Sequence, residues 1–377
     1  YPMKTALTIL VISIILFLSL KISPYGYLIK GVKAVYFDGY TSAHIYDRKH
    51  FSQREIPSLN PQPFPYADEK WSLNPQTREA LERFNTRGLV VLKDQKVVLE
   101  EYWEDHNAQT ISNSFSSAKS IITLLVQIAI QDGYINSWDD PITNYIPEYK
   151  IPEGVSVPTL RHFSTMTAGM QIEENYKNPF SKTAKLYYHN DVAEVALSTP
   201  PGKFEAGTKW EYQSACTQML GIALTRAVSE SVSGYANREL FSKLGFETDA
   251  TWHLDREGGM EIAFSCLNAT TLDFTKIGQL VLNHGKVGEF VVVDSAFLSM
   301  AVQGYGSPKY GHGFWVYPET QGKIFGSRGL LGQIVMVIPE HNLVVARTGE
   351  MPGPRWIDEF NEVEKTLLEQ VNEWTNN

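Results

Sequence analysis

Residues 114–133 read SFSSAKSIITLLVQIAIQDG, so that a serine and a lysine stand at the start of a long apolar run. The apolar side chains recur at helical spacing: Ile121, Ile122, Leu124, Leu125, Ile128 and Ala129. Asp132 and Gly133 end the run and are typical of a helix terminus. The pattern predicts a buried helix that begins near Ser116. On this helix Ser116 and Lys119 share one face, because they lie three positions apart.

The pair Ser116 and Lys119 is a candidate nucleophile and general base. A serine hydroxyl is a weak nucleophile until a neighbouring group accepts its proton. Lys119 can accept that proton only in its neutral form, so its pKa must fall from about 10.4 toward neutrality. Burial beside the apolar helix face would lower the pKa in this way. The spacing alone also fits an exposed serine and lysine in a first helical turn, so the assignment depends on the rest of the chain.

Two further segments extend the pattern. Residues 201–214 read PGKFEAGTKWEYQS and contain the triplet Tyr212, Gln213 and Ser214. Residues 328–333 read RGLLGQ and directly precede a strand-like run. In this order, the three segments resemble the motifs of the serine β-lactamase and penicillin-binding-protein superfamily, whose second motif is Tyr-x-Asn or Tyr-x-Ser.

The resemblance runs from about residue 88 to residue 347 and includes TMTAG at 165–169 and CLNAT at 266–270. Within the superfamily, the chain is most similar to the class C-related branch. This branch contains esterases and the 6-aminohexanoate-dimer hydrolases. The resemblance therefore implies a serine hydrolase.

The resemblance also implies roles for individual residues. Ser116 would attack a carbonyl group, Lys119 would accept the serine proton, and Tyr212 would relay a proton to the leaving group. A phenol and an ammonium group within hydrogen-bond reach are expected to lower each other's pKa. A core tyrosine with a satisfied hydroxyl is the alternative for Tyr212. The backbone N–H groups of Ser116 and Leu330 would form the oxyanion hole.

Residues at the predicted pocket are expected to bind substrate: Tyr176, Ser214, Asn268 and Gly329. Tyr176 resembles a lid tyrosine of the aminohexanoate-type enzymes, and an exposed loop aromatic is the alternative. Asn268 has a structural cap as its alternative. Glu174, in the same loop as Tyr176, is predicted to be solvated.

The third motif departs from that of the β-lactamases. There, Lys-Thr-Gly supplies a cation for the substrate carboxylate, whereas this chain has Ser327, Arg328 and Gly329. Arg328 could pair with a carboxylate in a bidentate manner. Adjacent residues on a strand point to opposite faces, however, so Arg328 could also point away from the cleft. We therefore expect poor recognition of β-lactams.

Strand-like runs near both ends of the sequence predict the fold class. Residues 88–92 and 97–103 are predicted to form one hairpin, and residues 333–338 and 343–347 a second. An apolar stripe over 357–374 predicts a closing helix. Together with the resemblance, this order predicts an α+β fold of the β-lactamase/transpeptidase type. Its antiparallel sheet is built from both chain ends and flanked by helices.

The N-terminus carries an apolar segment. Residues 5–20, between Lys4 and Lys21, are apolar or small, which is slightly short for a bilayer span of about 20 residues. An Ala-x-Ala-like cleavage site is missing, which favours an uncleaved anchor over a removed signal. The catalytic part is expected in the cell envelope, anchored on the extracytoplasmic (periplasmic) side, or secreted if the segment is cleaved. Lys21, Lys30 and Lys33 follow the segment, which the positive-inside tendency does not favour for this orientation.

The chain is thus divided into three parts. Residues 1–24 form the signal or anchor segment, and residues 25–76 form an extension without sustained periodicity, either draped over the domain or acting as a linker. Residues 77–377 form the serine hydrolase domain, with a mainly helical insert at about 140–260.

Composition excludes other classes of function. A formal net charge of -9 and a pI near 5.6, without a basic stripe, argue against nucleic-acid binding. Cys216 and Cys266 have neither metal-ligand spacing nor the count of a disulfide framework. No metal site and no cofactor are expected, and the oligomeric state stays open.

The sequence thus predicts a hydrolase that cleaves a small-molecule ester or amide through an acyl-Ser116 intermediate. A peptidase acting on cell-wall D-amino-acid peptides and a β-lactamase are the nearest alternatives. A non-catalytic binding protein that retains the fold is a further alternative. The presence of Ser116, Lys119 and Tyr212 argues against that last alternative.

Overall fold

The computed structural model describes residues 2–317, 320, 323–357 and 359–376. The helices are α1 (Pro2–Ile22), α2 (Tyr27–Val35), α3 (Pro75–Arg83), α4 (Ala118–Gln131), α5 (Leu160–Ser164), α6 (Lys182–Tyr188), α7 (Val192–Leu197), α8 (Ser214–Val228), α9 (Val232–Ala236), α10 (Ser242–Leu244), α11 (Thr271–Leu282), α12 (Ser295–Ala301) and α13 (Glu362–Asn376). The strands are β1 (Ser52–Ile56), β2 (Thr86–Lys93), β3 (Lys96–Tyr102), β4 (Ile111–Asn113), β5 (Ala250–Leu254), β6 (Leu267–Thr270), β7 (Lys286–Val287), β8 (Phe290–Val291), β9 (Trp315–Val316), β10 (Phe325–Gly329), β11 (Gln333–Ile338), β12 (Leu343–Gly349), β13 (Arg355–Ile357) and β14 (Phe360–Asn361).

The main sheet joins the two ends of the domain, as the sequence predicts. Its strand order is β3-β2-β12-β11-β10-β9, and β2 pairs antiparallel with β12 at its centre. Helix α11 packs closely on this sheet. A Cβ atom added at Gly278 would lie only 2.6 Å from Val344 and 2.8 Å from Val335. Both predicted hairpins and the α+β fold class are confirmed.

A second, smaller sheet has the order β1-β5-β6-β4. Its strand β1 comes from the extension at residues 25–76, so the extension is part of the folded body. The segment 140–260 is helical up to Leu244 and then contributes β5. This sheet is not recognisable in the sequence, because its strands are short and every residue of β5 and β6 is buried. Such strands show no alternation of polar and apolar residues.

Two helix boundaries differ from the expectation. Ser116 lies in a 3-10 turn, Phe115–Ser117, and α4 begins only at Ala118. The closing helix α13 begins at Glu362 and not at Ile357, because Ile357 pairs with Phe360 in the β13–β14 hairpin.

Helix α1 projects from the body. Its segment Lys4–Ile22 has a mean hydropathy of 2.4, and none of it is buried in the structure. By length and composition it could cross a membrane or serve as a signal sequence. Four residues separate α1 from α2, which packs against the body.

Candidate active site

The start of α4 holds Ser116 and Lys119 together. The Lys119 amino group donates hydrogen bonds to Ser116 Oγ and to the backbone carbonyl of Phe264, each over 2.9 Å. Lys119 is only 1% exposed to solvent. The segment before Ser116 is tied to β6, because the Ser114 N–H donates to the Leu267 carbonyl over 2.8 Å. Phe115, with φ of 45°, turns the chain sharply at the candidate nucleophile.

Burial lowers the pKa of Lys119 to about 8, and the nearby Glu174 carboxylate opposes this shift. Burial disfavours the ammonium form because the charge loses its hydration. A substantial neutral fraction near pH 8 is what a general base at Ser116 requires. The neutral base postulated from the sequence is therefore consistent with the electrostatics of the fold.

Tyr212 faces the same two residues, but its pKa shifts opposite to the expected direction. Its ring centroid lies 5.0 Å from the Lys119 amino group, which directs its hydrogen bonds to Ser116 and Phe264. Burial raises the pKa of the phenol, and the contact with the Ser116 hydroxyl opposes this only in part. The expectation that the phenol and the ammonium lower each other's pKa is wrong for Tyr212, because desolvation dominates. The phenol thus stays protonated at neutral pH.

Gln213 fixes the second motif against the loop that follows TMTAG. Its side-chain amide donates to the carbonyls of Met170 and Ile172 over 2.8 and 2.9 Å. Its side-chain oxygen accepts from the Met170 N–H over 3.1 Å. The loop that carries Glu174 and Tyr176 is thereby held beside the site.

Glu174 belongs to the site, although the sequence predicted it to be solvated. The carboxylate accepts hydrogen bonds from the Ser214 N–H over 2.9 Å, from the Ser214 hydroxyl and from the Tyr176 hydroxyl. It is half-buried, whereas Glu173 is exposed. No feature of the sequence distinguishes the two adjacent acids, because the difference arises from the fold of the loop.

The expected oxyanion position is built by the end of β10. Gly329 packs so closely against the nucleophile segment that a Cβ atom there would lie 2.1 Å from the Ser114 carbonyl oxygen. Leu330 follows at once and lines a pocket together with Ser116. Gly329 was expected to bind substrate, but it is Leu330 that lines this pocket. Gly329 instead lets the strand approach Ser114.

The buried Arg347 guanidinium holds the turn after Leu330. It donates to the carbonyls of Leu331 and Gly332 over 3.0 and 2.7 Å. The φ of 64° at Leu331 is maintained by this turn. Arg347 therefore has a structural role in fixing the backbone beside the site.

Two of the expected substrate-binding residues, Tyr176 and Ser214, line the same pocket as Ser116. Asn268 does not, and this expectation is corrected. It is fully buried in β6, where its amide donates to Thr251 and to the Cys266 carbonyl, the latter over 3.2 Å. Asn268 joins β5 to β6 and is therefore structural, although it is not the cap that the sequence offered as the alternative, because Thr270 caps the following helix.

Arg328 is engaged by the C-terminal segment of the chain. Its guanidinium donates to both carboxylate oxygens of Glu364 on α13 and to the Glu359 carbonyl. It also stacks on the rings of Trp315 and Phe360, at 4.6 and 4.5 Å. The third motif thus presents no cation to a substrate carboxylate from this residue.

Among the described residues, no group of three or more His, Cys, Asp or Glu side chains could hold a metal ion. Cys216 and Cys266 are both buried and unpaired with each other. Burial raises the pKa of the Cys266 thiol to about 12, which keeps it protonated at neutral pH.

A family model described as Beta-lactamase matches residues 77–349. The chain belongs to this family. The resemblance seen in the sequence is confirmed, and the family is one of serine hydrolases. A curated relative, an uncharacterized protein of Alkalihalophilus pseudofirmus, is 23% identical over 306 residues, covering 68% of this chain and 81% of the relative.

Solved structures share the fold. A Bacillus anthracis protein, provisionally assigned as a 6-aminohexanoate-dimer hydrolase, has a TM-score of 0.77 at 19% identity, covering 88% of this chain and 92% of its own. EstCE1, described as a hydrolase with promiscuous acyltransferase activity, has a TM-score of 0.60 at 15% identity, covering 78% and 96%. FmtA from Staphylococcus aureus has a TM-score of 0.60 at 12% identity, covering 83% and 90%. At these identities the likeness concerns the fold alone.

The lowered pKa of Lys119 generates a prediction for the pH dependence of turnover. If Lys119 must be neutral, kcat/KM for p-nitrophenyl acetate rises with pH through an inflection near 8, by about tenfold between pH 7 and pH 9. Glu174→Gln removes a charge that raises the Lys119 pKa, so the inflection moves to lower pH. Glu173→Gln is the control. Glu173 is exposed to solvent, so this substitution should leave the pH profile of kcat/KM unchanged. A profile for Glu174→Gln that is unmoved, or moved to higher pH, contradicts this account.

Proposed function

We propose that the protein is a serine hydrolase that cleaves esters, and amides more slowly, through an acyl-Ser116 intermediate. The observation that carries the proposal is the buried Lys119 amino group at 2.9 Å from Ser116 Oγ. A lysine in this position has no solvent to hold its charge and one hydroxyl to act upon. The family membership over residues 77–349 is consistent with this chemistry.

The reaction begins when neutral Lys119 accepts the proton of Ser116 as Oγ attacks the substrate carbonyl carbon. The backbone N–H groups of Ser116 and Leu330 stabilise the oxyanion. When the carbonyl re-forms, the bond to the leaving group breaks and the leaving group takes a proton from Tyr212. The phenol regains its proton from the ammonium of Lys119.

Tyr212 suits the role of acid because its raised pKa keeps it protonated at neutral pH. In the second half-reaction, water attacks the acyl-Ser116 ester and gives its proton to Lys119, which passes it to Ser116 Oγ as the acyl bond breaks, so that Ser116 leaves as the alcohol and Lys119 is neutral again. One water is consumed and one acid is released. The cycle needs no cofactor.

The charges around Ser214 and the third motif disfavour an anionic substrate group there. Glu174 places a carboxylate beside Ser214 at the pocket, where it repels an anionic substrate group. Arg328, the cation of the third motif, is engaged by Glu364. A β-lactam carries a carboxylate that needs a cation, whereas a simple ester does not. This arrangement supports esters over β-lactams as substrates.

The roles of the three side chains are tested by labelling and turnover. A fluorophosphonate should modify Ser116, and Ser116→Ala should abolish both labelling and hydrolysis of p-nitrophenyl acetate. Lys119→Ala and Tyr212→Phe should each lower kcat by about 10²–10⁴, the usual contribution of proton transfer by a side chain. Circular dichroism spectra check that each variant folds. Labelling mapped by mass spectrometry to another residue would overturn the assignment.

Substrate class is tested by a panel with the wild-type protein. We expect hydrolysis of short-chain p-nitrophenyl esters, weaker turnover of small amides, and little turnover of penicillins and cephalosporins. D-Alanyl dipeptides in the same panel test the peptidase alternative. If kcat/KM for nitrocefin exceeds that for p-nitrophenyl acetate and butyrate, the β-lactamase alternative replaces this proposal.

We also propose that α1 anchors the protein in a membrane with the catalytic body on the extracytoplasmic side. Support comes from the apolar, unburied segment Lys4–Ile22. The full-length chain should sediment with membranes, whereas a chain that starts at Tyr25 should be soluble and active. Protease digestion of intact spheroplasts should cleave the body. Recovery of the unprocessed chain in the soluble fraction contradicts the anchor, and protection from protease contradicts the orientation.

A further inference from the structure

Beside Ser116 lies a cavity of about 130 Å³. Phe115, Phe264 and Leu330 line its inner end, around the candidate nucleophile. Lys177 is the charged side chain in the lining, and it is exposed at the rim. The lining is otherwise uncharged and mainly apolar, with hydroxyl groups of serine, threonine and tyrosine side chains among the apolar ones.

The outer wall of the cavity is helix α2, which lies outside the region matched by the family model. Its lining residues are spaced i, i+3, i+4 and i+7, so one helical face points into the cavity: Leu28, Gly31, Val32 and Val35. Two side chains outside this face fix the helix to the body. The Tyr27 hydroxyl donates to the Pro179 carbonyl over 3.0 Å, and the Lys30 amino group donates to the Asp255 carbonyl over 2.9 Å. This extension thus completes the cavity in a fixed position.

The cavity lies on the acyl side of Ser116. Leu330, whose N–H would hold the oxyanion, lines the cavity, and Tyr212, which would protonate the leaving group, does not. A substrate whose carbonyl sits at Ser116 therefore places its acyl chain in the cavity and its alcohol toward Tyr212. The volume compares with the apolar cavity of about 150 Å³ that admits benzene, so it holds roughly six carbon atoms.

The short link between α1 and α2 lies near the cavity, because its Tyr25 contacts Phe180, the neighbour of the lining residue Pro179. Exposed aromatic side chains surround this region: Tyr25, Tyr36, Phe37 and Phe180, of which Phe37 is 76% exposed. The rings of Tyr25 and Phe180 contact each other, with centroids 6.1 Å apart. Aromatic side chains of this kind are typical of the boundary between a bilayer and water. Because α1 ends four residues before α2, an anchored α1 would hold the mouth close to the bilayer surface.

These observations lead to one inference, which rests on the proposed function. We infer that the substrate is a membrane-borne lipid ester whose apolar acyl chain enters this cavity. Ser116 Oγ forms an ester bond with the acyl carbonyl, the original ester bond breaks, and the leaving alcohol takes the proton that Ser116 loses. Water then releases the fatty acid. The extension and the anchor thereby determine the substrate class.

The first experiment measures chain-length preference with the full-length protein in detergent micelles. We expect kcat/KM for p-nitrophenyl hexanoate to exceed that for the acetate by at least tenfold. Val32→Trp should fill the cavity. Because Val32 is 41% exposed, the larger side chain can be accommodated without disrupting the fold. This variant should lower the hexanoate-to-acetate ratio at least tenfold. Leu28→Ala widens the cavity and should raise the octanoate-to-hexanoate ratio.

Lys33→Trp is the matched control, because Lys33 is exposed on the same helix and lines a different cavity. It should leave the chain-length ratio unchanged. A wild-type hexanoate-to-acetate ratio near one overturns the inference, and so do equal losses of turnover on both esters in Val32→Trp. In either case, turnover of the acetate ester would still support the proposed function. A wild-type protein that hydrolyses neither ester refutes the proposed function itself.

The second experiment distinguishes a membrane source of the ester from a soluble one. The full-length protein is reconstituted in phosphatidylcholine vesicles that contain a fluorogenic membrane-anchored lipid carrying a hexanoyl ester. We expect product release at least tenfold faster than with the chain that starts at Tyr25 and is added from solution. Equal rates for both proteins would contradict a membrane-borne substrate. Turnover of soluble p-nitrophenyl hexanoate without turnover of the vesicle ester would contradict it as well.

Discussion

The site depends on burying one amino group. Lys119 is nearly inaccessible to water, and its amino group has only Ser116 Oγ and the Phe264 carbonyl as hydrogen-bond partners among those described. Loss of hydration lowers its pKa to about 8, whereas an exposed lysine would remain charged at neutral pH. The two hydrogen bonds make this burial tolerable, because an unpaired amino group in the interior would destabilise the fold. The surrounding elements of the fold enclose Lys119 and exclude water from it.

Both sheets contribute to that closure. The smaller sheet supplies the Leu267 carbonyl that holds Ser114, and the main sheet brings β10 against the same segment. The second approach is possible only because position 329 lacks a Cβ atom, which would lie 2.1 Å from the Ser114 oxygen. Arg347 then fixes the turn after Leu330 through backbone carbonyls. The candidate oxyanion position is thus set by backbone packing between elements that lie far apart in the sequence.

Charge and shape at the pocket point the same way. Glu174 occupies the Ser214 end, and Arg328 is engaged by Glu364, so neither residue offers a cation to an anionic substrate. The adjoining cavity is mainly apolar in its lining and is walled by α2, a helix that lies outside the family match. The shared fold supplies the reactive groups, and the N-terminal extension shapes the space in front of them. Specificity can thus differ between members of one fold family through elements added outside the shared fold.

The sequence by itself determined the family, the α+β class, both hairpins of the main sheet and the grouping of Ser116, Lys119 and Tyr212. The hairpins and the helix after Ser116 follow from local spacing and hydrophobic period, whereas the family and the grouping with Tyr212 follow from the resemblance of three motifs to a known superfamily. It did not determine the second sheet, the engagement of Arg328, the structural role of Asn268, the direction of the Tyr212 pKa shift or the place of Glu174 at the site. Each of these depends on contacts between distant segments, and on burial, which has no local signature. The extension 25–76 is the clearest example, because the apolar face of its nine-residue helix α2 acquires meaning only when the fold places it across from Ser116.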